Sequence, residues 1–300
     1  MQTAFLSRRR FLETGSTAAL AASLFSRVEA ADSATGLKGR IHHSVCKWCY
    51  EKQVPLDQLC AAAKEMGIAS IDLVDPPDFP MLQKYGLTTG MVSFPTVPGP
   101  NGENVGSIPH GFNRPEYHDL LAEAYEPLIK ASAAAGFKNV ICFSGNRNGM
   151  DAETGLKHCA AGLKKILPMA EKHGVTLAME LLNSRVDHKD YMCDTSAWGI
   201  RLVETVASEH FKLLFDIYHM QIMEGDIIAT IRAHHRHFAH YHTGGVPGRH
   251  EIDETQELNY PAIMRAIVDT GYKGFVAQEF IPAKPDVLTS LRQAVQTCDV

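Results

Sequence analysis

Between residues 40 and 280, short apolar runs alternate with amphipathic stretches eight times, and this rhythm constrains the fold more than any other feature. The candidate strands are 40–46, 70–74, 88–93, 139–144, 176–182, 212–217, 238–243 and 274–280. They are rich in apolar and β-branched residues, as strands buried on both faces are. Helical spacing fills the gaps at 56–66, 115–135, 151–173, 195–208 and 260–270, with Asp194 as the expected cap of the fourth. Gly67, Gly136, Gly174 and Gly271 follow four of these helices, where a left-handed residue closes the last turn. Regular strand–helix alternation predicts a parallel sheet with helical crossovers. Eight such units in about 260 residues predict an α/β fold of the (β/α)₈ TIM barrel type. A doubly wound open sheet is the alternative, but the chain has no G-x-G-x-x-G or Walker motif. One segment breaks the rhythm: 94–113 carries four prolines and follows the third strand, so a lid over one barrel end and a surface insertion are both open.

The first thirty residues read as an address. Ser7-Arg8-Arg9-Arg10-Phe11-Leu12 has the form of a twin-arginine export signal, followed by an apolar run and the small residues Ala30-Ala31. The expected organisation is a signal peptide at 1–30 and a single barrel at 31–300, exported to the periplasm through the twin-arginine machinery. The apolar run is too short to span a bilayer, so no stable membrane insertion of the mature protein is expected. A net charge of −5 argues against nucleic acid as a partner. Seven cysteines, an odd number, do not suggest a disulfide framework; Cys46-x-x-Cys49 reads as a structural pair, with a disulfide between the two left open for an oxidising compartment. A homo-oligomer is left open.

In a barrel of this type the active site lies at the C-terminal ends of the strands. The last four strands each place an ionisable residue among apolar neighbours there: Glu180, Asp216, His242 and Glu279. These residues recur about once per βα unit, and closure of the barrel brings them to one mouth. Three carboxylates and an imidazole in so small a space repel one another unless a cation or protons neutralise them. A divalent metal is the simplest resolution, and the alternative is four buried groups paired with local lysines or arginines. Three oxygens and one nitrogen suit Mn²⁺, Mg²⁺ or Co²⁺, and also accommodate Zn²⁺. His219, just past the sixth strand, and Arg249, in a glycine-rich loop, are the candidate substrate-binding residues; Asn183 is a weaker one. Eight of the 15 histidines lie between His210 and His250. His210, His234, His235, His237 and His240 read as packing or surface residues, and His250 is undecided.

The segments Glu180-Leu181-Leu182-Asn183, Phe215-Asp216-Ile217-Tyr218-His219-Met220-Gln221, Pro247-Gly248-Arg249-His250-Glu251 and Gln278-Glu279-Phe280 resemble the hydroxypyruvate isomerase family. That family sits in the xylose isomerase-like barrel superfamily, close to the ketose 3-epimerases. The resemblance implies a metal held by Glu180, Asp216, His242 and Glu279. It implies Glu180 and Glu279 as the catalytic acid–base pair, and His219 and Arg249 on the substrate. The implied activity is metal-dependent isomerisation of a small keto-acid or keto-sugar through an enediolate. Ketose 3-epimerisation, a sugar lyase or hydratase activity, and a non-catalytic periplasmic sugar-binding protein are the other readings. The strand-seven ligand is a departure: hydroxypyruvate isomerases often carry Gln there, whereas the epimerases carry His, as this chain does.

Overall fold

The computed structural model describes residues 36–300. The twin-arginine pattern lies outside the described residues. The strands, in chain order, are β1 (His42–Cys46), β2 (Ser70–Asp72), the short hairpin β3 (Val97–Pro98) and β4 (Asn104–Val105), β5 (Asn139–Cys142), β6 (Thr176–Glu180), β7 (Phe211–Asp216), β8 (Phe238–Thr243) and β9 (Phe275–Gln278). Seven of them form one parallel sheet in the order β2-β1-β9-β8-β7-β6-β5. The sheet closes through residues 88–92. Thr88 bridges to Ser70, and Val92 bridges to both Val74 and Val140. The chain therefore folds as a TIM barrel, with 88–92 in the place of the third barrel strand.

That third member is bridged rather than laddered, unlike the regular strand the sequence pattern predicts. Gly90 gives the reason. Its N–H donates to side chains, Ser70 Oγ at 2.7 Å and Asp72 Oδ1 at 3.0 Å, and not to a neighbouring backbone. A β-carbon there would collide with the ring of His240 and with Phe275. The backbone has come inward to meet a polar cluster, and the ladder is interrupted where it does so.

The helices are α1 (Leu56–Met66), α2 (Phe79–Tyr85), α3 (His118–Ala134), α4 (Ala152–His173), α5 (Ser196–Val206), α6 (Ile217–Met223), α7 (Ile227–His234), α8 (Tyr260–Asp269) and α9 (Val287–Cys298). The four expected glycines are all left-handed: Gly67 and Gly174 cap α1 and α4 with φ of 79° and 64°, and Gly136 and Gly271, one residue past the caps of α3 and α8, both have φ of 81°. The cap of α5 is a correction. Thr195 accepts from the Trp198 N–H, while Asp194 pairs with Arg147 at 2.7 Å. Helix α6 is a second surprise, because it starts directly from the end of β7. Asp216 caps it, accepting from the His219 N–H at 3.1 Å. A side chain at a strand end thus also begins the next helix, satisfying one of its free N–H groups. Among the described residues no helix is long and apolar enough to cross a membrane.

Candidate active site and metal centre

Barrel closure brings the four strand-end residues together. Glu180 ends β6, Asp216 ends β7, His242 lies in β8 in register with Asp216, and Glu279 follows β9. All four are buried. One donor atom from each can be chosen so that all lie within 4.8 Å of one another. His242 Nδ1 is 2.9 Å from Glu279 Oε2 and 3.5 Å from Glu180 Oε1. Arg249 Nη2 donates to Glu279 Oε2 at 2.7 Å, and Trp48 Nε1 donates to Glu279 Oε1 at 2.8 Å. Glu279 is therefore fully engaged. By contrast, Glu180 Oε1 and Asp216 Oδ2 are buried and accept no hydrogen bond.

The electrostatics show an excess of negative charge. Burial opposes the ionisation of Glu279, yet His242 and Arg249 hold it well below the usual carboxylate range. Burial pushes Glu180 up and Asp216 well up, with repulsion from Glu279 adding to both. Burial works against protonation of His242, but Cys46 and Glu279 raise it well above its ordinary value. Burial and mutual repulsion thus disfavour the ionised forms of Glu180 and Asp216, a strain that a bound divalent ion would relieve. The two carboxylate oxygens without a hydrogen bond, in a set of three carboxylates and one imidazole, fit such an ion.

Of the two predicted substrate-binding residues, His219 sits in the first turn of α6 and is fully buried. Asn183 orients it. The Asn183 carbonyl oxygen accepts from the Val186 and Asp187 N–H groups at 2.9 and 3.0 Å. Its amide nitrogen therefore faces His219 Nδ1, at 2.6 Å, and Asp187 Oδ2, at 2.6 Å. With Nδ1 accepting, the proton of the neutral ring resides on Nε2. Burial and Arg249 keep the ring neutral by moving it well below its ordinary range. His219 Nε2 has no partner and points a free donor at the cluster, 3.7 Å from Asp216 Oδ2. Arg249 adopts a left-handed φ of 60°, a strained conformation for a side chain of this size. Its guanidinium lies 5.2 Å from the Trp48 ring and 5.3 Å from the Tyr218 ring.

A cavity of about 360 Å³ opens beside the cluster, and Glu180, Glu279, Arg249 and His188 are among its lining residues. The irregular segment 94–113 contributes Phe94 and Ile108 to the lining. It is pinned rather than swinging. Phe112 N–H donates to Phe143 O, Asn113 N–H to Ser144 O and Asn146 N–H to Pro109 O, at 3.1, 2.7 and 3.0 Å. Gly111 makes this approach feasible, since a β-carbon there would overlap the Phe143 carbonyl. Gly111→Ala is therefore expected to cost about 1–3 kcal/mol, seen as a lowered urea midpoint; an unchanged midpoint would show that the segment is not anchored this way.

Four features escaped the sequence reading. Trp48, just past β1, holds Glu279. His188 lines the cavity, its ring 5.3 Å from that of His219. His240 is not a bland packing residue: it is fully buried, with Nε2 2.5 Å from Asp72 Oδ2. Cys46 faces the other side of His242, its sulfur 3.8 Å from Nε2, and both Cys46 and Cys49 are free thiols. The undecided His250 turns away, with Nδ1 2.9 Å from the Ile281 carbonyl.

Comparison with known proteins places this geometry. A stretch of 104 residues is 35% identical to a protein named "Putative hydroxypyruvate isomerase" from Homo sapiens, covering 35% of this chain and 38% of that one. The chain spans about two fifths of the length of the first curated relatives it matches. A longer match, 27% identical over 242 residues, covers 77% of the chain and 89% of a 2-oxo-tetronate isomerase from Haemophilus influenzae. Among solved structures, one titled AP endonuclease, family 2, from Brucella melitensis superposes with a TM-score of 0.72. It is 24% identical, with 84% of this chain and 96% of that chain covered. The family model described as xylose isomerase-like TIM barrel matches residues 60–296, and the chain belongs to that family.

Proposed function

We propose that the protein is a divalent-metal-dependent isomerase of small keto-acids or keto-sugars, of the hydroxypyruvate isomerase type, with Glu180 and Glu279 exchanging the proton. The observation that carries this reading is the pair of buried oxygens without a hydrogen bond, Glu180 Oε1 and Asp216 Oδ2, inside a cluster of three carboxylates and one imidazole. Glu180, Asp216, His242 and Glu279 would hold the ion. When bound, it supplies a Lewis acid next to the substrate carbonyl. The relatives named as isomerases support the same class of chemistry.

The chain's own residues then divide the work. His219 Nε2–H and the Arg249 guanidinium are donors aimed at the cluster, suited to orienting the oxygens of a hydroxy-ketone. Glu279, held in its ionised form by His242 and Arg249, would remove the proton from the carbon beside the carbonyl. Glu180, whose protonated form burial favours, would return one to the neighbouring carbon, so that the two carboxyl groups exchange protonation states in each turnover. The apolar wall keeps water from the enediolate while the proton is in transit.

The test is metal addition to chelator-treated protein. Mn²⁺, Mg²⁺, Co²⁺ or Zn²⁺ at about a hundred times its Kd is expected to add about 2.7 kcal/mol of stability. The loaded protein is expected to exchange solvent deuterium into hydroxypyruvate or a keto-sugar. If none of the four ions raises the melting temperature, and none supports exchange, the reading fails.

A further inference from the structure

The cavity beside the cluster is asymmetric in a way that proton transfer between two glutamates does not require. Glu180, Glu279, Arg249, His188, Trp48 and Ser93 supply its polar lining. The rest is apolar, from Leu73, Phe94, Ile108, Ile141, Phe143 and Leu182. Phe94 and Phe143 meet edge to face with centroids 4.8 Å apart, giving the wall an aromatic corner. The volume of about 360 Å³ falls in the range of about 300–1,000 Å³ that takes ligands much larger than a three-carbon acid. Charge narrows the occupant. Arg249 is the one guanidinium among the lining residues, and it is already paired with Glu279. A phosphate or second carboxylate against the apolar lining would meet no further guanidinium or ammonium group among the lining residues, and its desolvation would go uncompensated.

We propose that the substrate is a hydroxy-ketone carrying an uncharged apolar substituent, aryl or alkyl, with its polar end at the carboxylates and its substituent against the Phe94–Phe143 wall. This rests on the reading of the site as one that handles a hydroxy-ketone. The polar end must be small enough to reach Glu180 and Glu279 together, while the substituent gains by covering apolar surface that otherwise faces water. Because Phe94 and Ile108 come from the 94–113 segment, that segment sets which substituent fits.

The experiment compares hydroxyacetone with 1-hydroxy-3-phenylpropan-2-one on the metal-loaded protein. Binding is followed through the fluorescence of Trp48, which lines the cavity. The phenyl compound is expected to bind about ten-fold more tightly or better. That advantage should shrink in Phe94→Ser or Ile108→Ser, both partly exposed positions that tolerate truncation better than the core. A smaller advantage in the unaltered protein, or one unchanged in both variants, overturns the proposal. Solvent-deuterium exchange into the same two ketones is read in parallel. Exchange without a phenyl advantage removes the apolar subsite and leaves the isomerase reading intact. A phenyl advantage without exchange does the reverse.

Discussion

Glu180→Gln is expected to lower solvent-deuterium exchange into substrate by about 10²–10⁴, the usual contribution of a positioned general acid or base. The substitution keeps the shape of the side chain and removes its capacity to take and return a proton, while leaving an amide oxygen as a neutral donor to an ion. Glu180 is the better of the two glutamates for this test, because its Oε1 has no hydrogen-bond partner and faces His242 at 3.5 Å. Glu279 accepts from Trp48 and Arg249 and faces His242, and its replacement would disturb three neighbours at once. The backbone of Glu180 is held independently, its carbonyl accepting from the Tyr191 hydroxyl at 3.1 Å. A variant that retains metal-induced stabilisation but loses exchange would locate the defect in proton transfer. Exchange within about tenfold of the original would remove Glu180 from the chemistry.

Asp72→Ala is expected to be the most destabilising single change in the barrel interior, costing about 3–5 kcal/mol. Asp72 is fully buried. Its Oδ1 accepts from Ser44 Oγ at 2.6 Å, Ser70 Oγ at 2.9 Å and Gly90 N–H at 3.0 Å. Its Oδ2 stands against His240. Removing the carboxylate leaves buried donors unpaired and strands the imidazole, and each unsatisfied group carries its own desolvation cost. The loss would appear in urea unfolding as a lower midpoint at unchanged slope. A loss below about 1 kcal/mol, the scale of one ordinary hydrogen bond, would mean that the cluster is not a structural hub. The expected damage reaches the site as well, because Asp72 Oδ2 lies 3.9 Å from His242 Nε2.

The barrel was readable because strand and helix periods alternate on both sides of the one irregular segment, 94–113, and each period maps to one kind of burial. The four clustered residues were readable for a related reason: a charged side chain inside an apolar strand has few places to go except a shared mouth. The same rule extends to Asp72, at the end of β2, whose neighbour Ile71 is also fully buried. His240 carried a signal too. A two-residue step from His242 puts both rings on one face of β8, and their centroids lie 5.1 Å apart. Other features had no local signature. That Gly90 spends its N–H on a carboxylate, and that Asn183 fixes the tautomer of His219, depend on partners brought close only by barrel closure. The start of α6 inside the Asp216–His219 segment was hidden because Asp216 serves strand, cap and site together.

The anchoring of segment 94–113 has a consequence for how such a protein changes over time. Its attachments beyond the end of β5 are mainly backbone to backbone, with the Asn113 amide donating to the Asn146 carbonyl, and the firmest demands fall on Gly106, Gly111 and Asn113. The proton-handling residues sit on or beside strands, on a separate part of the frame. Phe94 and Ile108 can therefore be exchanged for other residues while the backbone attachments persist, at the cost of the Phe94–Phe143 contact where Phe94 changes, and Glu180 and Glu279 stay on their own strand ends. Substrate range and reaction are inherited on different pieces of the chain, so a lineage, or an engineer, can revise the first while conserving the second.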